Sequence, residues 1–153
     1  GVELVKKAVD DFFCENNLDY QIDEFGDHKL YKNNSIEIFL GDYFSLDFKK
    51  IGKFDSVYDR GSLVAIDASF RKDYVKRIMS LLNVGGKVLL ITLEYEQSKM
   101  SGPPYSIHYS EVKKLYSRFG SVELLDVSDV LDDRLREKGL DAVEEKVFLI
   151  TKN

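Results

Sequence analysis

Residues 87–95, "KVLLITLEY", constrain the fold of this chain more than any other stretch. Apolar side chains follow one another almost without interruption, where a strand with one wet face would alternate. That is the pattern of a strand covered on both faces, as in parallel sheets flanked by helices. The neighbouring periodicities agree. Leu4, Val5, Ala8, Val9, Phe12 and Phe13 recur as pairs four apart, the apolar face of a helix ending near Asn16 and Asn17. Residues 28–42 read as two short strands around an Asn33–Asn34 turn, and "FDSVYD" (54–59) as another strand. A helix capped by Asp67 or Ser69 leads to a tight turn at "NVGG" (83–86). Beyond the apolar run come a loop over 97–109 holding both prolines, a helix opened by Ser110, a strand over 121–128, a short helix over 132–139 and a last strand over 142–152. The expectation is one α/β domain with a mostly parallel sheet.

Charge and composition narrow the function classes. A net charge of -5 and a pI near 5.1 argue against a nucleic-acid surface, which needs an excess of Lys and Arg. No apolar run approaches the roughly 18 residues of a membrane helix. Cys14 is the only cysteine, which excludes a disulfide framework and a cysteine-based metal site and makes a reducing cytosol the expected compartment. His28 and His108 stand apart from each other without a cysteine partner, so no metal is expected. His28 reads as a surface residue, while His108 lies in the Pro-containing loop after "GPPY", closer to where a substrate would sit. Cys14 reads as a buried or half-buried small hydrophobe, and Phe12, Phe13, Phe39 and Phe148 as core.

Three acids fall at strand ends: Glu3, Asp42 and Asp59. In nucleotide-binding α/β folds ligands bind beyond the carboxyl ends of strands, and an acid there accepts hydrogen bonds from ribose hydroxyls. Each alone has an ordinary reading, as a helix-dipole partner for Glu3 and as turn aspartates for the others.

Together, "GVELV", "GDYFSL", "IGKFDSVYDRGSLVAI", "SGPPYSI" and "VEEKVFLITK", in order along the whole chain, resemble the thiopurine S-methyltransferase family. The resemblance implies a Rossmann-like class I methyltransferase domain over residues 1–153, a three-layer sandwich whose mostly parallel sheet has an antiparallel last strand. It implies S-adenosyl-L-methionine as cofactor, S-adenosyl-L-homocysteine as product, and methyl transfer to the sulfur of aromatic or heterocyclic thiols such as thiopurines. Glu3 matches the ribose acid, and Asp42 with Tyr43 the pair lining the adenine pocket. Asp59 and Arg60 match the "DRG" motif that the family uses in catalysis, with Arg60 beside both the methyl donor and the acceptor. Arg134 matches a second substrate-contacting arginine, and Pro103, Pro104 and Tyr105 match a loop over the acceptor site. The partner expected is a small-molecule thiol, with no nucleic acid, no membrane and a monomeric chain. Inorganic selenium or tellurium species are the alternative acceptors, and a non-catalytic nucleoside- or partner-binding α/β module is the alternative class.

In one respect the chain departs from the family. No G-x-G pattern occurs, and "VGG" precedes a later strand than the cofactor loop would. Strand 1 of this fold, which carries that loop, lies between strands 2 and 4. Its absence should leave two apolar strand edges unpaired. The residues are therefore expected to be the C-terminal two-thirds of a longer protein.

Overall fold

A computed structural model describes every residue from Gly1 to Asn153. Contacts divide the chain into two units, Gly1–Lys50 and Ile51–Asn153, each built on one four-stranded sheet.

In the first unit, β1 (Val2–Glu3) leads through α1 (Lys6–Glu15) to β2 (Gln21–Phe25), β3 (His28–Lys32) and β4 (Glu37–Leu40). The sheet order is β1-β4-β3-β2; β1 and β4 run parallel, and the two remaining pairings are antiparallel. Lys6–Asp10 and Lys7–Asp11 pairs along the outer face support α1. Its end is set by Asn17, whose φ of 51° lets the Leu18 N–H turn back to the Phe13 carbonyl at 2.9 Å. The inner face buries Val9 and Phe13 against Tyr31, with Leu18, Ile36, Ile38 and Leu40 around them. Burial of a ring the size of Phe13 stabilises by roughly 2 kcal/mol. Phe12 lies at the margin with 37% exposure, and Cys14 is exposed, contrary to the sequence reading. Both sit just outside the stripe that faces Tyr31. The sequence also hides β2, because Gln21, Asp23 and Glu24 are polar and four of its five residues are exposed.

The second unit contains β5 (Phe54–Arg60), α2 (Arg71–Leu81), β6 (Leu82–Glu94), α3 (Tyr109–Tyr116), β7 (Gly120–Asp129), α4 (Asp133–Glu137) and β8 (Glu144–Lys152). The order is β5-β6-β8-β7, with β5 parallel to β6 and the last strand, β8, antiparallel to both of its neighbours. Val88, Leu90, Phe148 and Ile150 are completely buried, whereas Leu89 is 36% exposed. The apolar run 87–95 is therefore more one-sided than its composition suggests. "NVGG" is not a turn ahead of the strand. Phe54 pairs with Leu82 and Ser56 with Lys87, so residues 83–86 bulge out within β6. β1 and β5 each pair on one side only. No helix is long and apolar enough to cross a membrane.

Candidate functional site

In the first unit two acids meet at the carboxyl ends of adjacent parallel strands. Glu3 closes β1 opposite Leu40, the last residue of β4, and the Glu3 carbonyl accepts the Gly41 N–H at 2.9 Å. Glu3 Oε1 accepts the Val5 N–H at 2.8 Å, and Oε2 has no protein donor. Asp42 repeats the arrangement, its Oδ1 accepting the Phe44 N–H at 3.1 Å while Oδ2 is open. Each carboxylate is thus fixed in orientation by a backbone amide and leaves one oxygen for a ligand. Tyr43 stands beside Asp42, half-buried and edge-on to Phe44 and Phe48.

His28 was read as a surface residue and is buried, at 3% exposure. Its Nε2 lies 2.8 Å from the Asp42 carbonyl oxygen, which only accepts, so Nε2 carries the proton. The ring packs flat on Gly41, where a Cβ would come within 2.2 Å of it. A glycine opposite a histidine thirteen positions earlier is not a pattern that sequence spacing reveals.

In the second unit the "DRG" segment ends β5. Asp59 is buried at 2% exposure and both oxygens are taken, Oδ1 by the Leu63 N–H at 3.2 Å and Oδ2 by the Tyr74 hydroxyl at 2.9 Å. Burial pushes its carboxyl above the ordinary range, and the Tyr74 hydroxyl with the Leu63 and Ser62 amides holds the rise back. Asp59 therefore clamps the start of α2 and the turn after β5. Arg60 points the other way, 62% exposed, with Nη2 3.6 Å from Glu145. Gly61, at φ +89°, makes the turn that follows them.

The prolyl loop docks onto that turn. The Tyr105 N–H donates to the Val64 carbonyl at 2.6 Å, and the Tyr105 ring lies 5.7 Å from the guanidinium of buried Arg71. Arg71 in turn donates to the Ile66 carbonyl and to Glu111, at 2.9 and 2.8 Å. The Pro104 carbonyl accepts the Tyr95 hydroxyl, Ser106 bridges the Tyr95 backbone, and the Ile107 N–H reaches the Leu93 carbonyl. Pro103 is exposed at the tip. Residues 104–107 thus form a fixed wall beside the end of β6. Arg71 is invisible to motif reasoning, because only the folded chain sets it under Tyr105.

Glu94, the last residue of β6, ties this wall to β8. It accepts from Lys146 Nζ at 2.6 Å, from His108 Nδ1 at 3.0 Å and from the Tyr109 N–H at 3.0 Å. Burial raises its carboxyl, but these three donors outweigh burial and hold it below the ordinary glutamate range. A depressed carboxyl stabilises above its unfolded value, 4.5, and the contribution disappears as pH falls through the lower folded value. Glu94→Gln is expected to cost about 2 kcal/mol near neutral pH. The gap to the parent should close in strong acid, as denaturant titrations of both proteins will show. A gap independent of pH would remove the charge from this account.

Arg134 lies on α4, 88% exposed and 3.4 Å from Asp132, which caps that helix. Leu135 of the same helix packs with Tyr95, Leu140 and Val143, and Met100 joins the cluster, so α4 adjoins the prolyl segment. The second unit thus ties Asp59, Pro104 and Tyr105 to the turn after β5 and its surroundings, leaves Arg60 on the other side paired with Glu145, and sets Arg134 on a separate helix.

The Thiopurine S-methyltransferase (TPMT) family model matches residues 1–153. The thiopurine S-methyltransferase of Pseudomonas fluorescens (strain Pf0-1) is 39% identical over 152 residues, covering 98% of this chain and 70% of that protein. That of Vibrio atlanticus (strain LGP32) is 40% identical over 154 residues, 98% and 69%. The Bos taurus enzyme is 36% identical over 156 residues, 99% and 64%. Among solved structures, the arsenic (III) S-adenosylmethionine methyltransferase CrArsM of Chlamydomonas reinhardtii has a TM-score of 0.66 at 17% identity, over 99% of this chain and 54% of that one. TehB of Haemophilus influenzae has a TM-score of 0.57 at 12% identity, over 99% and 49%. These two likenesses concern the fold, which is the Rossmann-like methyltransferase fold. The chain belongs to the thiopurine S-methyltransferase family.

Proposed function

We propose that the protein is an S-adenosyl-L-methionine-dependent S-methyltransferase acting on aromatic or heterocyclic thiols such as thiopurines. The observation that carries the reading is the pair of half-engaged carboxylates, Glu3 and Asp42, at the ends of two adjacent parallel strands. Their open oxygens suit the donors of a nucleoside, the ribose hydroxyls for Glu3 and an adenine amino group for Asp42, with the Tyr43 ring beside them. Held by Glu3, Asp42 and Tyr43, the cofactor would supply a methyl group, activated by the sulfonium charge, for the acceptor sulfur, with S-adenosyl-L-homocysteine as the product.

What remains for the protein is to position and desolvate the partners. An aromatic thiol on a purine is acidic enough to be partly ionised near neutral pH, and the Arg60 guanidinium favours the thiolate further. No general base is required. Asp59 contributes through the turn it clamps, which aims Arg60. Pro103, Pro104 and Tyr105 wall the acceptor, and Arg134 steers it from α4. The compartment proposed is the cytoplasm and the working unit a monomer.

Residues 1–153 belong to one methyltransferase domain in this reading.

Calorimetric titration of S-adenosyl-L-homocysteine tests the reading. The full-length protein should bind on the order of micromolar, and Glu3→Ala should weaken binding about tenfold or more. If the full-length protein takes up no cofactor product, the methyltransferase reading falls.

A further inference from the structure

Arg60 and Glu145 form a charge pair at the place where the acceptor is proposed to sit. The guanidinium leaves the end of β5 and crosses β6, where Ile91 is its register partner, to a carboxylate on β8. The approach is single-pronged, 3.6 Å from Nη2 to Oε2, with Glu145 26% exposed. A charge-assisted hydrogen bond spans about 2.7–2.9 Å, so most of the guanidinium's donors stay available. The neighbouring acids have other cations. Lys146 takes both Glu94 and Glu144, and His108 adds to Glu94. Glu145 has only Arg60.

We infer that Glu145 is a specificity-determining residue for the methyl transfer proposed above, on which this inference rests. It holds the Arg60 guanidinium over the sheet and, through its own charge, disfavours acceptors that carry a second anion beside the reacting sulfur. An acceptor thiolate brings one negative charge to a guanidinium already half-balanced. A carboxylated thiol brings two, and the second meets Glu145 as a like charge in a partly desolvated setting, where such juxtaposition is strongly unfavourable.

The experiment compares para-mercaptobenzoate with para-mercaptobenzamide, alike in shape and different by one charge, in the full-length protein and its Glu145→Gln variant. The ratio of kcat/KM, carboxylate over amide, should rise about tenfold in the variant, chiefly through KM. Glu145→Asp, which keeps the charge, should return the ratio toward the parent. The effect should shrink when the same change is made on an Arg60→Ala background. Calorimetry with benzoate and benzamide gives the same comparison without turnover. An unchanged ratio in both readouts, or an equal change for both members of each pair, overturns the inference. If the parent methylates neither thiol but calorimetry still shows the Glu145-dependent discrimination, the methyl-transfer reading falls and the charge filter stands.

Discussion

Replacement of Arg60 by Ala should lower kcat/KM for an aromatic thiol about a hundredfold while leaving the fold intact. The two halves of that expectation come from different observations. Stability should change by no more than about 0.5 kcal/mol, because the side chain is 62% exposed and its one ionic contact is long. Activity should fall because Arg60, at the end of β5, is the guanidinium proposed to favour the acceptor thiolate. The deficit should also depend on pH. A guanidinium beside the acceptor lowers the thiol's pKa by favouring its charged form. Without it the bound acceptor ionises only at higher pH, so the ascending, acid-side limb of the rate profile should move to higher pH. The variant should then recover toward the parent with rising pH, and acceptors that are already ionised should suffer least. Arg60→Lys keeps a point charge but loses the planar fork, and should restore about a tenth of the parental rate. Steady-state rates for two thiols of different acidity, taken across pH, check all of this. Parental turnover by Arg60→Ala would remove Arg60 from the site.

Element order and type were legible wherever the apolar pattern was strong. The β5 strand and the α3 helix lie where their periodicity puts them, and β8 is antiparallel as the resemblance implies. α1 forms, but of its six-residue apolar face only Val9 and Phe13 are buried, while Leu4 and Val5 precede the helix and are exposed. The pattern failed where side chains face water. β2 is polar and mostly exposed, so its pairing with β3 comes from the turn at Gly26, at φ 62°, and not from hydrophobicity. The motifs brought the eye to Glu3, Asp42 and Arg60, but not to what holds them. His28 against Gly41, Arg71 beneath Tyr105 and Glu94 beneath His108 join residues between 13 and 34 positions apart. Such contacts depend on strand register and loop path, which local spacing does not encode. Asp59 shows the same limit from the other side. Its place in a motif says that it matters, while its burial between Leu63 and Tyr74 says that it acts by shaping the turn.

The first-unit site should be the most sensitive to one methyl group. Gly41→Ala places a Cβ 2.2 Å from His28 Cδ2 and 2.7 Å from Nε2, at a φ of +152° that side chains rarely adopt. The ring is buried and cannot swing aside without giving up its bond to the Asp42 carbonyl. We expect a loss of about 3 kcal/mol in stability and, in the molecules that remain folded, weaker binding of S-adenosyl-L-homocysteine, because Asp42 moves with the ring. His28→Ala alone should cost less than this, since the Asp42 carbonyl also accepts from the Ser45 hydroxyl at 3.0 Å and its N–H at 3.2 Å. The decisive variant is the double one. Removal of the ring makes room for the new methyl, so the two losses should not add, and the coupling should favour the double variant by about 1–2 kcal/mol. Denaturant titration of the four proteins measures the coupling, and calorimetry follows the site. If Gly41→Ala proves as stable as the parent, the ring yields freely and His28 is not what holds Asp42. If the losses simply add, the strain lies in the backbone at residue 41, and the histidine is an ordinary core residue beside it.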